Sequence, residues 1–177
     1  GKKYTEGKFK NGGADGKWTQ WHENGQIYIE GNYKDDKQDG KWISWHENGQ
    51  RRSKSNYIDG DTIGEFSLWF DNGQLSVINY YDREKIGTHN ESWYKNGRKK
   101  FERTIPNNMQ QYKEIRWFKN GRKWVETNYL NGLLDGKDRQ WYESGQILLE
   151  ENYKLGDKNF NGFYRKYWFE NGQLMGQ

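Results

Sequence analysis

The sequence predicts an all-β repeat protein, seven β-hairpin repeats of about 24 residues forming an elongated, twisted antiparallel meander. Three observations carry this. Trp21-His22-Glu23-Asn24-Gly25-Gln26 returns as Trp45-His46-Glu47-Asn48-Gly49-Gln50 and Trp69-Phe70-Asp71-Asn72-Gly73-Gln74, and the marker glycine falls at Gly25, Gly49, Gly73, Gly97, Gly121, Gly145 and Gly172, a step of 24 five times and then 27. Asn-Gly between short apolar-polar runs is the strongest local hairpin signal, because both residues tolerate positive φ. Two strands and two turns use up the period, which leaves no room for a helix.

The elements follow in order. Glu6-Gly7-Lys8-Phe9 matches the second half of a repeat, as in Glu30-Gly31-Asn32-Tyr33. In the unit that follows, Gly40 to His46 reads as a strand, Asn48-Gly49 as a turn, Gln50 to Tyr57 as the second strand, and Ile58-Asp59-Gly60-Asp61 as the turn into the next repeat. A three-residue loop with the glycine in a G1 bulge places Trp21 opposite Ile27. That register is preferred over a two-residue loop, which would oppose Trp21 to Tyr28, because it is expected to unite the tryptophan column with the apolar Ile29 column and with Tyr33, Tyr57, Tyr81, Ile105, Tyr129 and Tyr153. The residue after each repeated tryptophan is also aromatic: His22, His46, Phe70, Tyr94, Phe118, Tyr142 and Phe169. Both faces are thus expected to carry an aromatic ladder. The centre departs from the pattern. Thr88 and Tyr112 stand where Gly16, Gly40, Gly64 and Gly136 stand elsewhere, and Pro106 in Ile105-Pro106-Asn107-Asn108 implies an edge, a kink or an irregular connection. Extra residues within Leu155 to Gly162 read as a longer turn.

With no proline- or serine-rich linker, residues 1–177 are expected to form one domain whose two ends fall within repeats. The start at Gly1 reads as an excised or processed segment. The compartment stays open, with the cytoplasm slightly favoured and a removed signal peptide compatible with the residues. A mean hydropathy of −1.40 would suit a disordered chain, but 18% aromatic residues make folding on aromatic side chains the better reading. Burying one tryptophan is worth roughly 4–6 kcal/mol by area against about 1–2 kcal/mol of backbone entropy per residue, so repeats must stabilise one another. The absence of cysteine excludes disulfide frameworks and cysteine-based metal or redox sites.

The combination of Trp-aromatic-Glu-Asn-Gly-Gln, a following Asn-Tyr and Asp-Gly-Lys-Trp resembles the bacterial MORN-repeat variant family. Its clearest copies are Asp15-Gly16-Lys17-Trp18 with Trp21 to Gln26, Asp39-Gly40-Lys41-Trp42 with Trp45 to Gln50, and Asp135-Gly136-Lys137 with Trp141 to Gln146. The match covers nearly the whole chain, with the strongest departures from Thr88 to Tyr112. The resemblance implies β-hairpin repeats in an elongated sheet and an antitoxin or immunity role in bacterial toxin–antitoxin modules, and more distant MORN proteins are associated with membrane lipids and scaffolding.

The residues argue for binding rather than catalysis. His22 and His46 fill a slot that other repeats give to Phe or Tyr, and no third ligand accompanies them, so a structural use outweighs a metal site. His89 reads as a solvated loop residue. The turn carboxylates Glu23, Glu47, Asp71, Glu143 and Glu170 repeat in identical positions and give way to Lys95 and Lys119, which is not a convergent catalytic arrangement. No catalytic, cofactor or metal site is expected. From Lys85 to Lys123 eleven basic residues face three acidic ones, a local excess of +8 in a chain of net +4, so the remainder carries −4. Aromatic side chains interleave this basic centre. Arg98, Lys100, Arg103, Arg116, Arg122, Lys123 and Trp124 are the expected contact residues for a protein partner, since arginine and aromatic anchors dominate interfaces. A toxin is the specific partner the resemblance implies, anionic lipid or envelope components are the alternative, and homotypic pairing at sheet edges or ends is a third route. Nucleic acid is disfavoured because acidic ends would repel a long polyanion; a solvated charged face is the plain competing reading.

Overall fold

A computed structural model of the chain describes residues 4–81, 89–106, 110–158 and 162–176. Among them there is no helix. The chain divides into two compact units, Gly1–Gly87 and Thr88–Gln177. The first holds β1 (Thr5–Lys10), β2 (Gly13–Trp21), β3 (Ile27–Lys34), β4 (Lys37–Trp45), β5 (Arg51–Ile58), β6 (Asp61–Trp69) and β7 (Leu75–Tyr81) as an antiparallel meander. The second holds β8 (His89–Trp93), β9 (Lys99–Thr104), β10 (Gln111–Trp117), β11 (Lys123–Leu130), β12 (Leu133–Leu134), β13 (Gly136–Trp141), β14 (Ile147–Tyr153), β15 (Arg165–Trp168) and β16 (Leu174–Gly176), also antiparallel, with the short β12 pairing only β11. Seven hairpins account for fourteen of these sixteen strands. The other two are the leading half-repeat β1 and the stub β12.

Two kinds of turn alternate. At one edge of each unit the loop Glu23-Asn24-Gly25 and its counterparts close with His22 N donating to Gln26 O (2.8 Å) and Gly25 N to His22 O (2.9 Å). Gly25 has φ +88°, the left-handed value that a G1 bulge demands. The same pair of bonds recurs in all seven repeats, and each tryptophan pairs as expected, Trp21 with Ile27 and Trp45 with Arg51. At the opposite edge, two-residue loops such as Asn11-Gly12 (φ 52° and 89°) and Asp59-Gly60 (54° and 89°) show the positive-φ pair of type I′ hairpins.

One expectation about the faces is corrected. Gln20 pairs with Ile29 while Trp21 pairs with Ile27, so Tyr28 is an extra residue on β3, a second bulge that follows the turn. Successive residues of β2 alternate, which puts Trp21 on the face of Thr19 and Lys17, while Ile29 and Tyr33 share the face of Trp18. The ring contacts agree: Trp18, Tyr33, Trp42 and Tyr57 form a chain of edge-to-face pairs with centroids 5.5, 5.1 and 6.4 Å apart. The tryptophan column and the tyrosine column therefore lie on opposite faces. Gly40 also lies inside β4 rather than at its start, because the ladder resumes on either side of the bulge it makes (φ +69°). His89, expected in a loop, opens β8, where it pairs with Thr104 and its Nδ1 lies 2.7 Å from Thr104 Oγ1.

Only part of the expected irregularity falls on described residues. β9 ends at Thr104 before Ile105-Pro106, and Asn107 and Asn108 lie outside the described residues, as does Thr88. Tyr112 replaces the bulge glycine and stacks on Tyr129, with rings 8° from parallel and 4.7 Å apart. After β14, Leu155-Gly156 forms a tight turn closed by a bridge between Lys154 and Asp157, and residues 159–161 of the expected longer turn are outside the description. With each unit a single layer, little apolar surface is enclosed: among the described residues the buried hydrophobic side chains are Trp42 and Tyr153.

Candidate interaction surface

The G1-bulge edge is bound together by side chains that repeat with the turns. Asn24 accepts from Gln26 N at 2.9 Å, holding its own turn, and donates to Glu47 O of the next turn at 2.8 Å. Asn48 donates in the same way to Asp71 O (2.6 Å), Asn96 to Lys119 O (3.0 Å) and Asn120 to Glu143 O (3.0 Å). The aromatic slot after each tryptophan adds a second ladder. His22 Nε2 lies 2.9 Å from Trp45 O and His46 Nε2 2.9 Å from Trp69 O; since a carbonyl only accepts, Nε2 carries the hydrogen in both. Tyr94 and Tyr142 hydroxyls donate to Trp117 O (2.8 Å) and Trp168 O (3.1 Å) in the same manner. The two histidines thus do what tyrosines do elsewhere in the array.

The seven expected contact residues, all in the second unit, separate into two groups. Arg98, Lys100, Arg122 and Trp124 stand exposed at and just behind the turn edge. Arg98 lies along the Gly121 turn and donates through Nη1 to Lys119 O (3.4 Å), and Arg122 lies along the Gly145 turn and donates to Glu143 O (3.3 Å) and Ser144 O. Lys100 Nζ sits 5.8 Å from the Tyr94 ring centre, and Trp124, 45% exposed, packs against Phe118 at 5.8 Å. Arg103, Arg116 and Lys123 are drawn into ion pairs instead. Arg103 Nη1 and Arg116 Nη2 contact the two oxygens of Glu114 at 3.1 and 3.3 Å, and Lys123 pairs with Glu126 while lying 5.9 Å from the Trp141 ring.

The pairs on Glu114 belong to a pattern that the repeat alignment hides. On the face of Trp18, Trp42 and Phe66, the second unit carries Asn90, Glu114, Asp138 and Arg165 at the equivalent positions, paired across strands with Arg103, Thr127 and Glu151 for the first three. Aromatic packing is replaced by a polar ladder. Asn90 accepts from Arg103 at 2.9 Å, Thr127 donates to Asp138 at 2.5 Å, and Tyr153 donates to Glu151 at 2.7 Å beside Arg165. Burial raises the Asp138 carboxyl above its ordinary value against the lowering effect of the Thr127 bond, and Glu151 across the strand adds to the rise. On the other face, burial would raise Glu126, but bonds from Lys123 and Lys113 outweigh it and hold it below the usual range. Lys99, held between Glu91 (2.7 Å) and Glu102 (2.8 Å), keeps its charge to higher pH because those bonds outweigh its burial. The signal for this ladder was present in the sequence as the loss of aromatics at positions 90, 114 and 138 of the 24-residue column.

Among the described residues no group of three or more His, Asp or Glu side chains stands together as metal ligands. Residues 14–35, 38–59 and 134–155 match the model of the MORN repeat variant, and these stretches hold the Glu-Asn-Gly-Gln turns at Gly25 and Gly49 and the Glu-Ser-Gly-Gln turn at Gly145. These stretches are similar to the MORN repeat variant. MORN repeats are binding modules rather than enzymes and generally engage proteins or membranes. No curated protein matches the chain.

Proposed function

We propose that the chain is a non-enzymatic binding module that engages a protein partner through the basic, aromatic surface of the Thr88–Gln177 unit, with an antitoxin or immunity role in a bacterial toxin–antitoxin module as its specific form. The observation that carries this reading is the exposed set Arg98, Lys100, Arg122 and Trp124 at the turn edge, cationic and aromatic together and backed by Tyr94 and Phe118. Arginine and tryptophan with a solvent-facing surface are what protein interfaces recruit as anchors. The constant turn asparagines and paired aromatics maintain the scaffold, and positions that vary from repeat to repeat read the partner. In this reading Arg103, Arg116 and Lys123 act chiefly through their carboxylate partners Glu114 and Glu126.

The test is retention of protein from nuclease-treated lysate of the native host on the immobilised chain at low and moderate salt. One stoichiometric protein that survives moderate salt is the expected result; retention that vanishes with salt or consists only of lipid contradicts it. A membrane-facing reading draws on Trp124 beside Lys100 and Lys123, since an amphipathic ring next to ammonium groups suits an anionic interface. Flotation with anionic vesicles at two salt concentrations separates it from the first.

A further inference from the structure

The turns at Gly97 and Gly121 differ from their counterparts at two positions, both of which become basic. Where other repeats read Glu23-Asn24-Gly25-Gln26, Glu47-Asn48-Gly49-Gln50 and Asp71-Asn72-Gly73-Gln74, these read Lys95-Asn96-Gly97-Arg98 and Lys119-Asn120-Gly121-Arg122. The backbone is unchanged, with Tyr94 N to Arg98 O and Phe118 N to Arg122 O both 2.8 Å, the same as His22 N to Gln26 O. Glutamine and arginine also occupy the same place over the next turn. A Cβ on Gly49 would stand 3.5 Å from Gln26 Oε1, and one on Gly121 or Gly145 would stand 3.4 Å from the Cδ of Arg98 or Arg122. Covering that glycine needs only the stem of the side chain. The guanidiniums donate to carbonyls of that turn, Arg98 Nη1 to Lys119 O and Arg122 Nη1 to Glu143 O and Ser144 O, but glutamine fills the same place in other repeats, so the turn does not require their charge, and both arginines are exposed.

We infer that this edge of the second unit is a docking strip for an acidic peptide segment in polyproline II conformation, its carboxylates at every third residue meeting Arg98 and Arg122. The inference rests on the protein-binding reading above and names the partner's chemistry. Equivalent turns are two strands apart, about 10 Å. A polyproline II segment has three residues per turn and a rise of 3.1 Å, so every third side chain returns to one side after about 9 Å. In a β-strand the third residue points to the opposite face, which makes that conformation a poor match. Behind the arginines, the exposed Trp124 ring and the Tyr94–Lys100 pair offer the flat aromatic surface on which proline rings dock.

The test uses the full chain and two fluorescein-labelled proline-rich peptides of identical composition, one with glutamate at every third residue and one with the glutamates in a single block. The variant Arg98→Gln/Arg122→Gln keeps the fold, since glutamine is native at Gln26, Gln50 and Gln146, and near-UV circular dichroism confirms it. Fluorescence anisotropy should show the spaced peptide binding wild type about tenfold more tightly than the block peptide, the size of two exposed ion pairs. The double variant should bind both equally. Equal affinity of wild type for the two peptides, or a preference that persists in the double variant, overturns the inference; so does tighter binding of a helical peptide with glutamate at every seventh residue. A host protein retained equally by wild type and double variant sinks the docking strip but leaves the protein-binding reading standing. Wild type that retains no host protein sinks that reading itself, whatever the peptides do.

Discussion

Gly31→Ala adds a single methyl group beneath Trp42, and its effect can be worked from the geometry. The new Cβ would lie 2.2 Å from Trp42 Cδ2 and 2.4 Å from Cε2, so the indole must retreat by roughly 1.2 Å to reach ordinary contact. It has little room to do so. Trp42 is 4% exposed, its ring is wedged between Tyr33 and Tyr57, and its Nε1 donates to Asn32 O at 3.1 Å. Overpacking of this kind costs about 1–3 kcal/mol, and losing the indole hydrogen bond adds about 1 kcal/mol. The backbone at Gly31 lies outside the left-handed region, so alanine itself is not strained there and would otherwise gain about 0.4–1 kcal/mol through the unfolded chain. The net expectation is a loss of about 1–3.5 kcal/mol. Urea denaturation followed by circular dichroism measures it, in a double-mutant cycle with Trp42→Phe. Phenylalanine is the residue one repeat on, where Phe66 stands with Ser55 in place of glycine. A coupling of at least about 1 kcal/mol is expected. A Gly31→Ala chain as stable as wild type, or a loss that Trp42→Phe does not relieve, would refute the packing described for this face.

Three further outcomes follow from single contacts. Tyr94→Phe removes the bond to Trp117 O and should cost about 1 kcal/mol without unfolding the chain, since Phe70 and Phe118 fill the same slot natively; urea denaturation reads this out. Asp138 holds its proton to higher pH when folded, through burial first, so its contribution is complete in acid and is lost as pH rises through the raised value. Asp138→Asn, which can still accept from Thr127, should therefore be more stable than wild type near neutral pH and lose that advantage in acid, as measured by melting temperature against pH. Tyr153 and Tyr164 are both pushed up to about 12, by burial first and then by their bonds to Glu151 and Glu150. Absorbance at alkaline pH should show a late-titrating set of tyrosines that includes these two and Tyr129, which burial also raises, and Glu151→Gln should return Tyr153 toward the ordinary range.

Much of the architecture was legible because the turns are chemically explicit. Asn-Gly at a fixed period announces both the number of repeats and the G1-bulge loop, and the pairing of Trp21 with Ile27 follows from that loop alone. The bulge at Tyr28 carries no such mark. Its column reads Tyr28, Arg52, Ser76, Lys100, Trp124 and Leu148, with no glycine to signal an extra residue, so the faces were assigned one residue out of phase for the tryptophan column. The same kind of reason explains the surface. Net charge marks the basic centre as a segment, but charge counting cannot tell Arg103 and Arg116, which bracket Glu114, from Arg98 and Arg122, which lie exposed along the turns. Only the register of the strands separates them: positions 103 and 116 share a face with Glu114, whereas positions 98 and 122 belong to the loops.

The most direct measurement is amide hydrogen exchange of the chain with and without the host protein it retains. Added protection concentrated at residues 94–100 and 118–124, with the turns at Gly25 and Gly49 unchanged, is the predicted result. Protection spread over the Gly1–Gly87 unit, or confined to strand edges away from those turns, would contradict a partner surface built on Arg98, Lys100, Arg122 and Trp124.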